Sequence, residues 1–156
     1  MIALNSKSKV LFEHLESKDI KFSGIAKSLS TVGGYYPNFK SWLYFTFRKE
    51  MIEGKRSIII AHDGNSLAGL SLLKYTIDEK KICTFYVLPP FRGNGVGDML
   101  MDESTSYLGD KDIKITVAEE HNQELYPLLK SKGFSIENKV SGYYRDNVDE
   151  YFYSLK

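Results

Sequence analysis

Residues 82–97 of the chain read ICTFYVLPPFRGNGVG. The first part, Ile82–Leu88, is rich in β-branched and aromatic residues and predicts a strand. Two prolines end it, because proline lacks the N–H that a strand pairing requires. A glycine-rich loop follows, and Asp98–Leu108 then predicts a helix closed by Gly109. A strand, a glycine-rich loop and a helix in this order indicate a site for phosphate at the helix N-terminus.

The loop itself is the sharpest feature of the sequence and consists of Arg92, Gly93, Asn94, Gly95, Val96 and Gly97. The first turn of a helix has unpaired N–H groups, and glycines there remove the Cβ atoms that would hold a phosphate away from them. Arg92 adds a planar cation suited to phosphate oxygens. Asp98 occupies the position that the third glycine takes in a dinucleotide-binding fingerprint, so this loop does not match that motif. The carboxylate of Asp98 is expected to turn away from an anionic ligand.

Hydrophobic periodicity and turn residues predict the remaining elements. An N-terminal helix is predicted at Ser8–Ser17, a loop at Gly33–Asn38 and an amphipathic helix at Phe39–Ile52. Strands are predicted at Ser57–His62, Leu67–Thr76 and Ile113–Val117, a helix at Asn122–Lys132, and a closing aromatic hairpin containing Tyr143, Tyr144 and Tyr151–Tyr153. This order predicts one α+β domain over residues 1–156. Its sheet is mixed and mostly antiparallel, with helices on both faces and one parallel βαβ crossover.

Composition supports a globular protein: 42% of the 156 residues are hydrophobic, 26% are charged, and the net charge is +1. The single cysteine, Cys83, excludes an internal disulfide and a multi-cysteine zinc site, and it is expected to be a core residue. We expect a cytoplasmic protein without a membrane span or bound metal. Residues 1–60 hold ten Lys and Arg against five Asp and Glu, which either reflects ordinary solvated faces or a basic layer beside an anion site.

The segment Ile82–Phe134 resembles the core of the GNAT N-acetyltransferases. Arg92-x-x-Gly95-x-Gly97 is similar to that family's phosphate-binding signature, and the crossover helix, next strand, Asn122 and Gly133-Phe134 are similar to its second conserved block. The resemblance implies the family's bent sheet, acetyl-CoA as donor, and direct acetyl transfer to an amine. It also implies that backbone groups of Tyr86, Val87 and Leu88 line the pantetheine arm, that residues 92–97 hold the pyrophosphate, and that Asn122 reaches the pantetheine end.

The sequence departs from the family where a tyrosine often protonates the departing thiolate, because Leu129 occupies that position. Tyr126 and Tyr144 are the candidate acids in its place. Glu119 and Glu120 follow the predicted strand Ile113–Val117, and continued alternation would put Glu119 on the face of Ile113, Ile115 and Val117 and Glu120 on the opposite face. Glu119 is the candidate base, and His121 is an alternative. The acetyl oxygen is expected to meet a backbone N–H near Val87 or Leu88, freed by a strand bulge.

Two other functions stay open from the sequence. One is a CoA-binding regulatory domain without turnover, which Leu129 favours. The other is a toxin-like transferase acting on aminoacyl-tRNA, which the net charge of +1 disfavours along with nucleic-acid binding in general. The expected acceptor is a small-molecule or peptide amine, and the aromatic C-terminal strands are candidates for pairing in a homodimer. Specificity is expected from the loop Gly33–Phe39 and the aromatic segment Trp42–Phe47.

Overall fold

A computed structural model of the chain describes residues 10–15, 22–29, 36 and 38–156. Seven strands form one sheet in the order β1-β2-β3-β4-β5-β7-β6. The strands are β1 (Leu11–Leu15), β2 (Arg56–His62), β3 (Leu67–Tyr75), β4 (Lys80–Val87), β5 (Ile113–Ala118), β6 (Ser135–Ser141) and β7 (Asp149–Leu155). All neighbours are antiparallel except β4 and β5, which are parallel. The predicted α+β class and its single parallel crossover are therefore confirmed.

Helices cover both faces of this sheet. They are α1 (Phe22–Ser28), α2 (Phe39–Ser41), a π-helical turn (Trp42–Phe47), α3 (Arg48–Ile52), a 3₁₀ turn (Pro89–Phe91), α4 (Val96–Tyr107) and α5 (Glu119–Ser131). Residues 39–52 form one continuous helical segment, here called the aromatic helix, and it matches the helix predicted for this stretch. Within the described ranges, no helix is long and apolar enough to cross a membrane.

Each face of the sheet has its own apolar core. Leu100 and Met101 of α4 and Leu129 of α5 pack on one face, against strand residues that include Ile113 and Ile115. On the opposite face, α1 and the aromatic helix cover Ile58, Leu70 and Leu72. Strand residues alternate between these two cores, because successive side chains in a strand point to opposite faces. The sheet is thus buried on both sides at its centre.

Two neighbouring strands of the sheet, β4 and β5, separate along their length. Their parallel pairing spans only Lys80–Ile82 and Ile113–Ile115. Beyond it, β4 continues to Val87 in register with β3, and β5 continues to Ala118 in register with β7. The two strands therefore diverge in the direction of their carboxyl ends, and an open groove lies between them.

The N-terminal helix prediction is wrong for the residues the structure describes there. Leu11–Leu15 form strand β1, an edge strand antiparallel to β2, whereas residues 1–9 and 16–20 lie outside the described part of the chain. Four apolar or amphipathic residues are too few to distinguish the side-chain period of a helix from that of a strand. Pairing with the exposed edge of β2 satisfies the backbone of both strands and decides the outcome. The predicted loop at Gly33–Asn38 also lies mostly outside the described residues.

Three further predictions need correction. Glu119 and Glu120 do not extend β5; they form the first turn of α5, where carboxylates are stabilised by the positive end of the helix dipole. Tyr143 and Tyr144 lie in the connection between β6 and β7 and not in a strand. The irregularity in the β3–β4 pairing is at Leu72/Leu73, far from the expected bulge at Val87 or Leu88.

Candidate functional site

The divergence of β4 and β5 creates a cavity of about 240 Å³, here called the interstrand groove. Its walls come from Ile82–Val87 of β4, Ile115–Ala118 of β5, the loop after β4, and one face of α5. The α5 contribution consists of His121, Glu124, Leu125 and Leu128. A long, mostly apolar slot with a polar loop at one end fits an elongated ligand that carries a charged group at its terminus.

The loop end of the groove is built from glycines in conformations that other residues avoid. Gly93 and Gly95 both have φ +80°, and Gly95 is the residue that precedes the first turn of α4. Among the residues that the structure describes, no side chain caps this helix N-terminus, and the first turn of a helix has N–H groups without partners inside the helix. Gly93, Gly95 and Gly97, the glycines of the predicted phosphate site, all line the groove.

Two charged side chains flank this cradle with different orientations. The Nε–H of Arg92 donates to the carbonyl oxygen of Val87 at 2.9 Å, and its guanidinium carbon lies 5.4 Å from the centre of the Tyr86 ring. Arg92 is thereby held at the groove with its positive charge beside the loop. Asp98, in contrast, forms an ion pair with Lys132 at 2.8 Å and does not line the groove. That orientation matches the sequence expectation, and it removes a carboxylate from the anion site.

Most of the predicted donor-binding residues meet at this groove. Those that line it are Tyr86, Val87, Arg92, Gly93, Gly95, Val96 and Gly97. Three others do not line it, namely Leu88, Asn94 and Asn122. Leu88 is tied to β3, since its N–H donates to the carbonyl oxygen of Ala68 at 2.9 Å. Asn122 accepts a hydrogen bond from the Tyr153 hydroxyl, so its side chain is directed toward β7.

The backbone of Val87 supplies a hydrogen-bond donor inside the groove. In an antiparallel pair, successive residues direct their N–H groups alternately toward and away from the partner strand. Leu88 bonds to β3, so the preceding Val87 directs its N–H away from β3 and toward the β5 side. The parallel pairing with β5 has already ended at Ile82. The Val87 amide therefore faces the groove, and no bulge is needed to free it.

A second cavity of about 570 Å³, here called the side cavity, opens between the sheet and the aromatic helix. Phe39, Trp42 and Phe45 form its helical wall. The two cavities share four lining residues, which are Tyr36, Cys83, Thr84 and Thr116. This shared wall, here called the junction, is where a ligand in the groove and a ligand in the side cavity would touch.

A buried carboxyl group stands behind the junction. The Tyr36 hydroxyl donates to Glu150 Oε1 at 3.3 Å, and Glu150 is only 1% exposed at the start of β7. Burial raises the pKa of Glu150 above the ordinary carboxyl value, and burial likewise raises the pKa of Tyr36. A carboxylate with a raised pKa is a stronger base than an exposed one, and Tyr36 connects it to both cavities. Sequence analysis missed this pair because 114 positions separate its members.

The two candidate acids occupy different environments. Tyr144 lines the side cavity, and its ring lies 5.2 Å from that of Tyr36 in an edge-on arrangement. Burial raises the pKa of Tyr144, while a hydrogen bond with Thr116 of the junction opposes that rise. Tyr126 lines neither cavity, is 38% exposed, and lies 5.8 Å from the Lys130 ammonium. Of the two, only Tyr144 is placed near the junction.

Glu119, the sequence candidate for the base, serves as a structural tie. Its carboxylate accepts the backbone N–H of Asp149, and it lines neither cavity. Next to it, Glu120 forms a bidentate ion pair with Arg145, whose hydrogen bonds lower the pKa of that carboxyl. The first turn of α5 therefore holds the start of β7 and the β6–β7 connection. These are the segments that carry Glu150 and Tyr144.

Cys83 also lies at the junction, although it was expected to be a plain core residue. The Arg56 guanidinium donates to its sulfur at 3.1 Å. Burial raises the pKa of the thiol, which keeps it protonated and argues against a nucleophilic role. No cluster of three or more potential metal ligands occurs among the described side chains.

Comparison with known proteins gives one family. A sequence profile described as an acetyltransferase (GNAT) domain matches residues 18–146. Among proteins of curated function, none matches the chain.

Solved structures share the fold at low sequence identity. A protein from Desulfovibrio desulfuricans assigned to the GNAT family superposes with a TM-score of 0.75 at 16% identity, over 94% of this chain and 98% of that one. The ribosomal-protein-S18-alanine N-acetyltransferase of Escherichia coli gives a TM-score of 0.70 at 16% identity, over 94% and 92%. A Bacillus anthracis protein assigned as a streptothricin acetyltransferase, solved with acetyl coenzyme A, gives 0.56 at 19% identity, over 65% and 62%.

Proposed function

Because this chain belongs to the GNAT family of acetyltransferases, we propose that it transfers the acetyl group of acetyl-CoA directly to an amine that enters through the side cavity. The observation that carries the proposal is the junction, where the interstrand groove and the side cavity share the wall formed by Tyr36, Cys83, Thr84 and Thr116. Two reactants that meet at these shared residues can react with each other directly, so no covalent enzyme intermediate is needed.

Two parts of the groove suit two parts of acetyl-CoA. The open amides of α4, the glycine loop and Arg92 suit the pyrophosphate, and the apolar walls of β4 and β5 suit the pantetheine arm. When bound, acetyl-CoA supplies the thioester carbonyl that the amine attacks. The Val87 N–H donates to the carbonyl oxygen as negative charge develops there, which is the position where a fixed backbone dipole lowers the barrier.

Proton transfer is assigned to Tyr36 and Glu150. As the amine forms its bond to carbon, its surplus proton passes to the Tyr36 hydroxyl oxygen, and the Tyr36 proton passes to Glu150 Oε1. The raised pKa of Glu150 favours accepting that proton, and the raised pKa of Tyr36 returns the hydroxyl to its protonated form. Tyr144, kept protonated by its own raised pKa, donates a hydrogen bond to the departing thiolate.

The direct test is to measure binding and turnover separately. Titration calorimetry with acetyl-CoA should give saturable heat, and a panel of amines should release free CoA thiol only when protein and acetyl-CoA are both present. Mass spectrometry of the same mixtures should show the acetylated amine. Heat without amine-dependent thiol release would support the non-catalytic alternative that Leu129, buried in the core, leaves open. Inhibition of cell-free translation with acetylation of aminoacyl-tRNA would support the toxin-like alternative.

Tyr144→Phe is expected to lower kcat by about tenfold or more, since it removes the hydroxyl proposed to stabilise the thiolate. The affinity for acetyl-CoA should stay unchanged, because Tyr144 does not line the interstrand groove. Tyr126→Phe is the matched control and should keep kcat within about twofold, in the range of a surface substitution. Steady-state kinetics measures kcat and calorimetry measures the acetyl-CoA affinity of both variants. If Tyr144→Phe and wild type have equal kcat, Tyr144 has no part in the mechanism.

A further inference from the structure

The face of the sheet toward the side cavity carries a row of cations on neighbouring strands. In the register of the sheet, Arg56 of β2 is opposite Lys74 of β3, Lys74 is opposite Lys81 of β4, and Lys81 is opposite Lys114 of β5. Directly paired residues point to the same face, so these four side chains share it. Like charges in directly opposite positions destabilise a sheet. Anions placed beside such a row would therefore stabilise it.

Three members of the row have a carboxylate partner. Arg56 pairs with Glu50 at 2.8 Å, Lys74 with Glu79 at 2.9 Å, and Lys114 with Glu137 at 3.0 Å. For Lys81, no carboxylate lies within ion-pair distance among the residues that the structure describes. Lys81 nevertheless lines the side cavity, together with Arg56 and Lys74. Lys81 is a partly buried residue, and its side chain belongs to the face of the sheet that borders this cavity.

Cations outnumber carboxylates in the described lining of the side cavity. Its described lining contains three cations, Arg56, Lys74 and Lys81, and one carboxylate, Glu79, which is engaged by Lys74. The Arg56 side chain is only 7% exposed and lies 5.6 Å from the centre of the Trp42 ring, so it is fixed in the cavity wall. Arg56 also donates to Cys83 of the junction, and from the junction Tyr36 leads to Glu150. The cationic side chains therefore favour an anion in the same cavity in which Tyr36 accepts a proton from an amine.

We propose that the acceptor is an amine that also bears a carboxylate or phosphate group, and that Lys81 binds this anionic group. The proposal rests on the proposed acetyl transfer, since it concerns the acceptor of that same site. Lys74 and Arg56 flank the anion and add to the positive potential, while Phe39, Trp42 and Phe45 enclose the carbon chain between the two charged ends. Diamines and other purely cationic acceptors are disfavoured, because their second ammonium group would meet the cationic row.

Trp42 provides a readout of this cavity that does not depend on turnover. It is the one tryptophan in the chain and it lines the side cavity, so its fluorescence reports ligands bound there. The probes are ω-amino carboxylates of increasing chain length, ω-amino phosphates, the corresponding uncharged amides, and diamines. For at least one length, the anionic probe should bind about tenfold or more tightly than its amide, the range expected for a hydrogen-bonded ion pair. Carboxylates and phosphates form separate arms and identify the preferred anion.

Lys81→Met should abolish this preference, raising the dissociation constant of the anionic probe about tenfold. Lys80→Met is the matched control: Lys80 neighbours Lys81 in sequence but points to the other face, where its ammonium lies 5.9 Å from the centre of the Tyr75 ring. It removes the same charge and should keep the preference. Lys81→Arg retains the charge and should also keep it, and retained acetyl-CoA binding in each variant shows that the fold is intact.

Equal affinity of wild type for anionic and amide probes would overturn the proposal, as would equal effects of Lys81→Met and Lys80→Met. Tighter binding of diamines would overturn it as well. The same experiments distinguish failure of the anion site from failure of the proposed acetyl transfer. If anionic probes bind in a Lys81-dependent manner but no amine is acetylated, the anion site stands and acetyl transfer fails. If amines are acetylated without regard to charge, acetyl transfer stands and the anion site fails.

Discussion

Gly95→Val is expected to weaken acetyl-CoA binding by about a hundredfold or more, equivalent to about 2.7 kcal/mol. Gly95 has φ +80° immediately before the first turn of α4, a conformation that costs a β-branched residue about 1–3 kcal/mol. Relaxing that strain rotates the amides of the first turn away from the groove. A valine side chain would also occupy space beside the amides that the pyrophosphate must approach. Titration calorimetry with acetyl-CoA measures the effect directly.

The matched control for this substitution is Gly54→Val. Gly54 also has φ +80°, follows α3, and lines neither cavity. A Cβ at this position meets nothing within 4 Å, so its cost is backbone strain alone. Gly54→Val should lower the free energy of unfolding by about 1–3 kcal/mol and leave acetyl-CoA affinity unchanged. If Gly95→Val binds acetyl-CoA as tightly as Gly54→Val does, the loop is not the phosphate site.

The sequence predicted the centre of this fold well because its signals there are local. Pro89 and Pro90 end a strand, the glycines that follow open a helix, and Gly109 closes it with φ +91°. Each of these residues restricts the backbone at its own position, so no knowledge of distant partners is required. The resemblance to a known family then implied a bent sheet, which the periodicity of single elements does not give.

The wrong predictions arose where a distant partner decides the structure. Residues Leu11–Leu15 fit a helical or an extended period almost equally, and pairing with β2 selects the strand. Glu119 and Glu120 were assigned to opposite faces of the sheet by extending the alternation of β5 to them. Their acidic character favours the first turn of a helix, and that signal was present in the sequence but was not used. Tyr144 lies beside the junction on the β6–β7 connection, which the Glu120–Arg145 ion pair links to α5.

The proton relay could not be predicted from local signals at all. Tyr36 and Glu150 are 114 positions apart, and neither lies in a motif of the family resemblance. Glu150 lies near the junction because β7 pairs with β5, which brings Glu150 opposite Ala118, and the Tyr36 hydroxyl donates to its carboxylate. Glutamates are common on protein surfaces, and only burial to 1% exposure distinguishes this one. Burial is a property of the assembled sheet, so sequence reasoning favoured Glu119, which is closer to the signature in the chain.

Glu150→Gln is expected to lower kcat by about a hundredfold, the lower end of what a positioned proton acceptor contributes. Glutamine keeps the size of the side chain and an oxygen that can accept from Tyr36, but it cannot take up the proton. Acetyl-CoA affinity should not change, because Glu150 does not line the groove. Glu119→Gln is the matched control: its amide oxygen can still accept the Asp149 N–H, and kcat should stay within about threefold.

The pH profile distinguishes a proton acceptor from a residue that only shapes the site. A base works when it is deprotonated, so wild-type activity should rise with pH through the pKa of Glu150. Because burial raises that pKa, the rise should lie above the range of an ordinary carboxyl group. The ammonium group of the acceptor also loses a proton as the pH rises, which adds a second rise to the pH–activity profile. The position of that rise shifts when acceptors of different basicity are compared, whereas the rise due to Glu150 stays at the same pH. These two parts of the profile are called the moving limb and the fixed limb. Glu150→Gln should remove the fixed limb and leave the moving one. If Glu150→Gln keeps both limbs, or Glu119→Gln loses the fixed one, the relay through Tyr36 is not the route that the proton takes.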